Sequence, residues 1–111
     1  MATIHVSLDT SATPPVTCSP VHQPMNPGND SINWKPAANQ SFTFSSLTGL
    51  PNPPFSTLSV SANEITASDN NQNNGPEIAY PYTLCVEFNG HTYCTGPGTT
   101  GGNGNPTVNN K

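Results

Sequence analysis

Oxygen-bearing side chains recur in one turn-rich part of the chain, between residues 69 and 77. Asp69, Asn71 and Asn73 alternate along it and Glu77 follows, a spacing that suits a hard cation such as calcium. The segment departs from an EF-hand loop, because Gly75 is its seventh residue and Glu77 its ninth. An Asn-rich turn whose side chains bond to the local backbone would explain the same residues. The four residues are therefore a candidate calcium site, with an ordinary turn as the alternative.

Two of the three cysteines, Cys85 and Cys94, flank the dipeptide Asn89-Gly90. Asn-Gly between two alternating runs is the preferred turn of a two-residue β-hairpin, and this turn fixes the register. Cys85 then faces Cys94 in a non-hydrogen-bonded pair, where Cα atoms lie about 4.5 Å apart, within the range of a disulfide. The sequence predicts a Cys85–Cys94 disulfide, with two neighbouring reduced thiols as the alternative.

Cys18, Trp34 and Cys85 have roughly the Cys…Trp…Cys spacing of an immunoglobulin domain. The apolar residues of the segment 80–88 fall on alternate positions, however, so Cys85 should point away from their face. Cys18 shares its parity with Val16 and should point inward. We therefore expect Cys18 to be a buried free thiol that acts as a small hydrophobic residue.

Other metal sites have incomplete ligand sets. His22 and Met25, with Cys18 upstream, provide part of a blue-copper set, which needs two histidines, a cysteine and a weak axial ligand. The hairpin that would complete it has Cys85 and His91 but no methionine. Zinc would need His91 and both hairpin cysteines to point one way, which strand alternation does not allow. A histidine in a solvated loop is the ordinary interpretation of His22.

Catalytic and nucleic-acid-binding signatures are missing from the sequence. There is no nucleophile elbow and no phosphate loop, and the three histidines have no obvious carboxylate partner. With two lysines and no arginine, the chain cannot form the basic patch that a nucleic acid requires. The chain is therefore predicted to be neither an enzyme nor a nucleic-acid binder.

Strands must position these residues, because the composition opposes long helices. The chain has 15 Asn, 14 Thr, 11 Ser, 13 Pro and 9 Gly among 111 residues, and no helical apolar period. Alternation predicts a single antiparallel β-sandwich, immunoglobulin-like, with seven to nine short strands. The predicted strands are 3–9, 16–21, 31–35, 41–45, 57–61, 64–68, two in the hairpin 80–94, and a ninth at 107–109.

The chain is predicted to form one domain with a tail. Residues 1–95 are assigned to the sandwich, and residues 96–111 to a Gly/Asn-rich C-terminal tail that can end in a short strand. No secretory signal is present in this sequence, and no apolar run approaches the roughly 20 residues of a membrane span. The compartment is not determined, although an oxidised Cys85–Cys94 pair would indicate an extracytoplasmic or virion setting.

Several short segments carry a family resemblance: Trp34, Pro53-Pro54-Phe55, the run from Asn63 to Asn70, Tyr80-Pro81-Tyr82, and the run from Asn105 to Asn109. Together they span about 75 residues and resemble the small uncharacterised bacterial sandwich proteins of the DP-EP type. Asn105-Pro106 stands where that family has an acidic residue before proline. The resemblance implies an immunoglobulin-like fold with no known activity, so it assigns no functional residues.

The most favoured function is a non-catalytic structural or interaction module. Its charge-poor strands lack the lysines that usually protect sheet edges, so association with itself or another protein through edges and polar faces is expected. The alternatives are a calcium- or carbohydrate-binding module and, second, a small cupredoxin-like copper protein. The rings of Trp34, Tyr80, Tyr82 and Tyr93 could serve a binding surface for carbohydrate or protein, although their parity favours the core. No cofactor is expected, with calcium as the one possible exception.

Overall fold

Strands form all the regular structure in the part of the chain that the structure describes. This structure is a computed structural model, and it describes residues 2–95 and 106–111. Over these residues there are eleven strands and no helix, so the predicted all-β class is confirmed. The same residues therefore include no helix long and apolar enough to cross a membrane. The strands are β1 (Ala2–Leu8), β2 (Val16–Ser19), β3 (His22–Met25), β4 (Gly28–Pro36), β5 (Thr43–Thr48), β6 (Phe55–Val60), β7 (Ile65–Asn71), β8 (Ile78–Pro81), β9 (Thr83–Phe88), β10 (His91–Cys94) and β11 (Thr107–Asn110).

Prolines explain why there are more strands than the predicted seven to nine. The predicted strand 16–21 ends at Ser19, before Pro20, and the chain begins a new strand at His22 in a different sheet. Pro81 is the last residue of β8, and Tyr82 alone separates it from β9. Proline has no N–H to donate, so it favours the end of a strand or an edge position such as that of Pro24 in β3.

The eleven strands form three sheets, and two of the strand pairs are parallel. One sheet has the order β2-β1-β4-β7-β6, and the others have the orders β10-β9-β5 and β3-β11-β8. β1 pairs with β4 and β3 pairs with β11 in parallel, so the predicted purely antiparallel pairing is wrong for these two pairs. Long crossovers separate both pairs along the chain, as parallel pairing requires. The immunoglobulin-like topology stays a prediction.

The two three-stranded sheets meet along β8 and β9, which are separated only by Tyr82. The Thr95 N–H donates to the Leu84 carbonyl (2.9 Å), and the Tyr82 N–H donates to the Pro106 carbonyl (3.1 Å). The end of β10 is thus bonded to Leu84, and the start of β11 is bonded to Tyr82, two residues earlier along the β8–β9 segment. Most of the segment predicted to be a tail, residues 96–105, lies outside the described residues.

The centre of the sandwich is apolar, with one short polar network inside it. Buried side chains from both layers surround Trp34, whose Nε1–H donates to the Tyr82 hydroxyl (3.1 Å). The two rings meet edge to face at 5.5 Å. The Tyr82 hydroxyl is in turn hydrogen bonded to the Cys18 thiol. The prediction that Cys18 is a buried free thiol is confirmed.

Candidate functional site

Strand β6 forms the exposed edge of the five-stranded sheet, and its last four residues are all exposed. Leu58 is 46% exposed and Val60 is 40% exposed, so this edge strand carries two exposed large apolar side chains two residues apart. β6 contains neither a charged residue nor a proline. The strand that alternation predicted here is present, but its apolar residues lie in solvent rather than in the core.

A β-bulge explains this exposure. The register between β6 and β7 shifts between Ser56 and Ser59, so that Thr57 and Leu58 together stand opposite one residue of β7. Thr57 has a φ of 51°, in the left-handed region that β-branched residues rarely adopt. A bulge bends its strand and redirects the side chains next to it, so regular alternation no longer decides which of them are buried.

An apolar cavity of about 130 Å³ opens beside the bulge. Its apolar lining includes Leu50, Phe55, Leu58 and Ala67. A cavity of about 150 Å³ is large enough to accept a benzene molecule, so this one can take a single aliphatic side chain. We call the residues Thr57–Val60 together with this cavity the β6 surface.

The other edge strands are shorter, interrupted by proline or already hydrogen bonded along their edge. β2, β3, β8 and β10 have four residues each, with Pro24 inside β3 and Pro81 at the end of β8. β5 is as long as β6, but the N–H of Phe44 already donates to the Ala62 carbonyl (3.0 Å). Proline and short length are the usual protections of an edge. β6 is thus the longest edge strand in the described part of the chain without either protection or a covering segment.

The predicted hairpin has the register that its turn dictates. β9 and β10 pair in register, with Cys94 opposite Cys85. Asn89 and Gly90 both have positive φ, 53° and 78°, as a type I′ turn requires. The two sulfur atoms lie 1.99 Å apart, at disulfide distance, with the Cα atoms 4.0 Å apart.

The four predicted calcium ligands all hydrogen bond to the last three residues of the chain. Asn71 donates through Nδ2 to the carbonyls of Met25 (3.1 Å) and Lys111 (3.3 Å). Asn73 Nδ2 donates to the Asn110 carbonyl (3.0 Å), and Glu77 Oε2 accepts from Asn109 Nδ2 (3.1 Å). Asp69 accepts from the Asn110 side chain. These side chains fasten β11 to the rest of the molecule.

The loop also has the side-chain hydrogen bonds of Asx turns. Asn71 Oδ1 accepts the N–H of Asn73 (3.0 Å), and Asn73 Oδ1 accepts the N–H of Gly75 (3.2 Å). Both amide oxygens that could serve a cation therefore have backbone donors. Over residues 2–95 and 106–111, no group of three or more His, Cys, Asp and Glu side chains could hold a metal ion. Calcium binding by this loop stays a prediction.

Asp69 and Asn110 form a buried pair between the two layers. Each is 1% exposed, and Asn110 Nδ2 donates to Asp69 Oδ1 at 3.1 Å. The other oxygen of each side chain, Asp69 Oδ2 and Asn110 Oδ1, is buried without a hydrogen-bond partner. Burial raises the pKa of Asp69, and the nearby charge of Asp30 raises it further, whereas the Asn110 hydrogen bond opposes both. An unpaired buried oxygen is costly, which makes this pair unusual.

The predicted copper ligands have different surroundings from one another. His22 is exposed, and its Nδ1 lies 2.7 Å from the Thr107 hydroxyl. Met25 is part of the core. Burial raises the pKa of Cys18 to about 11, although its hydrogen bond with Tyr82 opposes this, so the thiol is a poor ligand at neutral pH. His91 is exposed beside Tyr93. The copper alternative stays a prediction.

Sequence reasoning missed two features of these sites. Asn110 was not singled out, although alternation from Val108 places it on the same inward face. The exposure of Leu58 had no signal in the sequence, because the bulge at Thr57 is set by pairing with β7. Of the aromatic residues considered for a binding surface, Trp34 and Tyr82 are buried, and Tyr80 and Tyr93 are half-buried.

Comparison with protein-family models, with curated proteins and with solved structures finds no match to this chain. The resemblance to the DP-EP type therefore stays a prediction.

Proposed function

We propose that the protein is a non-catalytic interaction module that associates with a second copy of itself through the β6 surface. One observation carries the proposal: β6 is an uncharged, proline-free edge strand whose Leu58 and Val60 lie exposed beside an apolar cavity. An exposed edge of this kind is a template for strand addition, in which main-chain hydrogen bonds supply the affinity.

Charge supports a second copy as the partner. In a two-fold symmetric pair, the same surface of each subunit meets itself, so any charge on β6 would face a like charge or lie close to one. β6 has no charged residue, although the chain as a whole has a net charge of −4. The edge is therefore compatible with its own copy, whereas a basic or acidic partner would find no charge there to pair with.

The bulge limits the strength of this association. Regular ladder positions remain only on either side of Thr57, so few intermolecular main-chain hydrogen bonds can form. Leu58 compensates, because the cavity beside it has room for one aliphatic side chain from the second copy. We therefore expect a dimer that dissociates on dilution and that depends on Leu58.

Leu58→Lys tests the proposal, since it places a charge at the centre of the β6 surface. Val21→Lys is the matched control, because Val21 is 42% exposed and lies outside β6. Native mass spectrometry and light scattering over a wide concentration range should show a dimer for the wild type and for Val21→Lys. Leu58→Lys should remain a monomer. A wild type that is monomeric at the highest concentration would refute self-association. Equal loss of the dimer in both variants would show that β6 is not the interface.

The Cys85–Cys94 pair of the hairpin bears on the compartment in which the protein works. A Cys85–Cys94 pair at disulfide distance supports an oxidising environment, in which the two cysteines would remain bonded. Mass measurement of the unreduced protein tests this, because an oxidised protomer is lighter by two hydrogens. The full reduced mass would contradict it.

A further inference from the structure

A second cavity, of about 290 Å³, opens beside the end of β7. Its walls come from both layers of the sandwich: β7 and the segment before β6 on one side, β8 and β11 on the other. The Asn70 N–H donates to the Pro54 carbonyl (3.0 Å), which holds the first two parts together. We call this space the amide cavity, because most of its lining residues carry side-chain amides: Asn70, Asn71, Gln72, Asn73 and Asn110.

Two side chains of β8 give the amide cavity an apolar wall. Tyr80 is half-buried, and its ring meets the ring of Phe55 edge to face, with centroids 5.2 Å apart. This contact fixes the orientation of the Tyr80 ring, which lines the cavity. Ile78 lies two residues earlier on the same face of β8 and is 43% exposed. An exposed isoleucine beside a fixed aromatic ring is a surface on which C–H groups can pack.

The amides of the cavity divide into engaged and available groups. Asn71 and Asn73 donate to the carbonyls of Lys111 (3.3 Å) and Asn110 (3.0 Å), so they form a fixed part of the wall. Asn70 and Gln72 are exposed, and within the described residues their side chains make no hydrogen bond. Asn110 Oδ1 is buried without a donor. The cavity therefore offers two free amides and lacks one donor.

The chemistry of the lining selects a neutral ligand with many hydroxyl groups. None of the described lining residues is charged, although the chain as a whole has a net charge of −4, so an ionic ligand would find no opposite charge there. A purely apolar ligand would cover the amides without replacing their hydrogen bonds to water, which is costly. A saccharide has both the C–H face and the hydroxyl groups that this lining requires.

The volume of the cavity matches one sugar ring. A cavity of about 150 Å³ admits benzene, which has six non-hydrogen atoms, so 290 Å³ corresponds to about twelve. A hexose has this number of non-hydrogen atoms. Binding sites of this size normally combine an apolar wall with a few polar groups that set the orientation of the ligand.

We propose that the amide cavity binds one hexopyranose unit of a neutral saccharide. The C–H face of the sugar packs on Tyr80 and Ile78, and its hydroxyl groups exchange hydrogen bonds with the amides of Asn70 and Gln72. An amide side chain both donates and accepts, as a hydroxyl group does, so each can bond to the sugar in either direction. The site is separate from the β6 surface, since its lining does not include Thr57–Val60.

Nuclear magnetic resonance titration of the full chain with neutral trisaccharides tests the site. Cellotriose, maltotriose and triacetylchitotriose are each added to about 10 mM, because a site for a single ring should bind with a Kd of about 1 mM. At least one of them should shift the side-chain amide signals of Asn70 and Gln72. Absence of any shift with all three saccharides would overturn the proposal.

A double variant, Asn70→Ala with Gln72→Ala, separates recognition from folding. Both residues are exposed, so the variant should fold, and the loss of two hydrogen bonds should weaken binding at least about tenfold. Asn63→Ala is the matched control, because Asn63 is an exposed asparagine between β6 and β7 and outside the cavity. An equal Kd for the double variant and the wild type would overturn the proposal.

Leu58→Lys keeps this test distinct from that of self-association. Leu58 does not line the amide cavity, so this variant should bind the saccharide as the wild type does even where it fails to dimerise. Loss of binding in Leu58→Lys together with full binding in the double variant would overturn the assignment to the amide cavity and would place the saccharide at the β6 surface.

Discussion

Two polar clusters lie between the layers of this sandwich, and they differ in how well their hydrogen bonds are satisfied. At the centre, Trp34, Tyr82 and Cys18 form a chain in which the indole and hydroxyl protons both have acceptors. At one end, Asp69 and Asn110 share one hydrogen bond and leave two oxygens without partners. Both clusters are buried, so burial alone does not explain the difference.

The two clusters should therefore contribute differently to the stability of the fold. A buried polar network whose hydrogen bonds are all made rigidifies the core and specifies a unique packing. A pair with two unpaired buried oxygens lowers the stability of the fold, because each oxygen has lost its water without gaining a donor. Four variants or conditions test this distinction, and the self-association test above is independent of it.

The largest effect is expected from Trp34→Ala in the central cluster. Removal of a fully buried indole loses its packing and leaves a cavity, which typically costs about 3–5 kcal/mol. The variant also leaves the Tyr82 hydroxyl without its donor. Urea unfolding followed by far-UV circular dichroism measures the loss. A cost below about 1 kcal/mol would mean that the central cluster does not hold the layers together.

Alkaline pH should weaken the same cluster through Cys18. The folded pKa of this thiol is about 11, above the ordinary value of 9.0, so its contribution is fully present below pH 9 and is lost as the pH rises through 11. The loss should reach about 2–3 kcal/mol. Urea unfolding at successive pH values measures it. Cys18→Ala is the control, and an equal alkaline loss in that variant would assign the effect to other groups.

Tyr82→Phe removes one hydroxyl and leaves the aromatic ring in the core. The buried Trp34 Nε1–H then has no acceptor, which should cost about 1–3 kcal/mol. The measurement is urea unfolding at neutral pH. Alkylation of Cys18 in the native variant should stay slow, because the thiol remains buried. A neutral effect on stability would show that the hydrogen bond between Trp34 and Tyr82 does not stabilise the fold.

Asp69→Asn should have the smallest effect and the opposite sign. Its amide supplies the missing donor and removes the repulsion with Asp30, so the free energy of unfolding should rise by about 1 kcal/mol. Urea unfolding at neutral pH, side by side with Tyr82→Phe, compares the two clusters directly. If Asp69→Asn destabilises the protein as Tyr82→Phe does, the terminal cluster is satisfied in solution and the contrast fails.

Local chemistry decides which parts of this fold could be read from the sequence. The hairpin register follows from Asn89-Gly90 alone, because a two-residue turn fixes every pair up to Cys85 and Cys94. The inward direction of Cys18 follows from alternation with Val16. These features involve neighbours along the chain, so one sequence is enough to predict them.

Long-range pairing decides the rest. The spacing of Asp69, Asn71 and Asn73 suggested a ligand set, but in the structure the same alternation serves to bind β11, a strand some 40 residues away. Sequence reasoning considered a strand at 107–109 but could not place it between β3 and β8. The exposure of Leu58 likewise depends on a bulge that exists only against β7.

The hydrogen bonds at Thr95 and Pro106 bear on how far the length of the segment between them can vary. Thr95 and Pro106 are anchored to Leu84 and Tyr82, two residues apart on one strand line, so the ends of the intervening segment are already held close together. Closing a longer loop across fixed ends costs only about 0.6 kcal/mol per doubling. Insertions between these anchors should leave both sheets intact, which makes this position a natural place to graft a foreign peptide or an entire second domain.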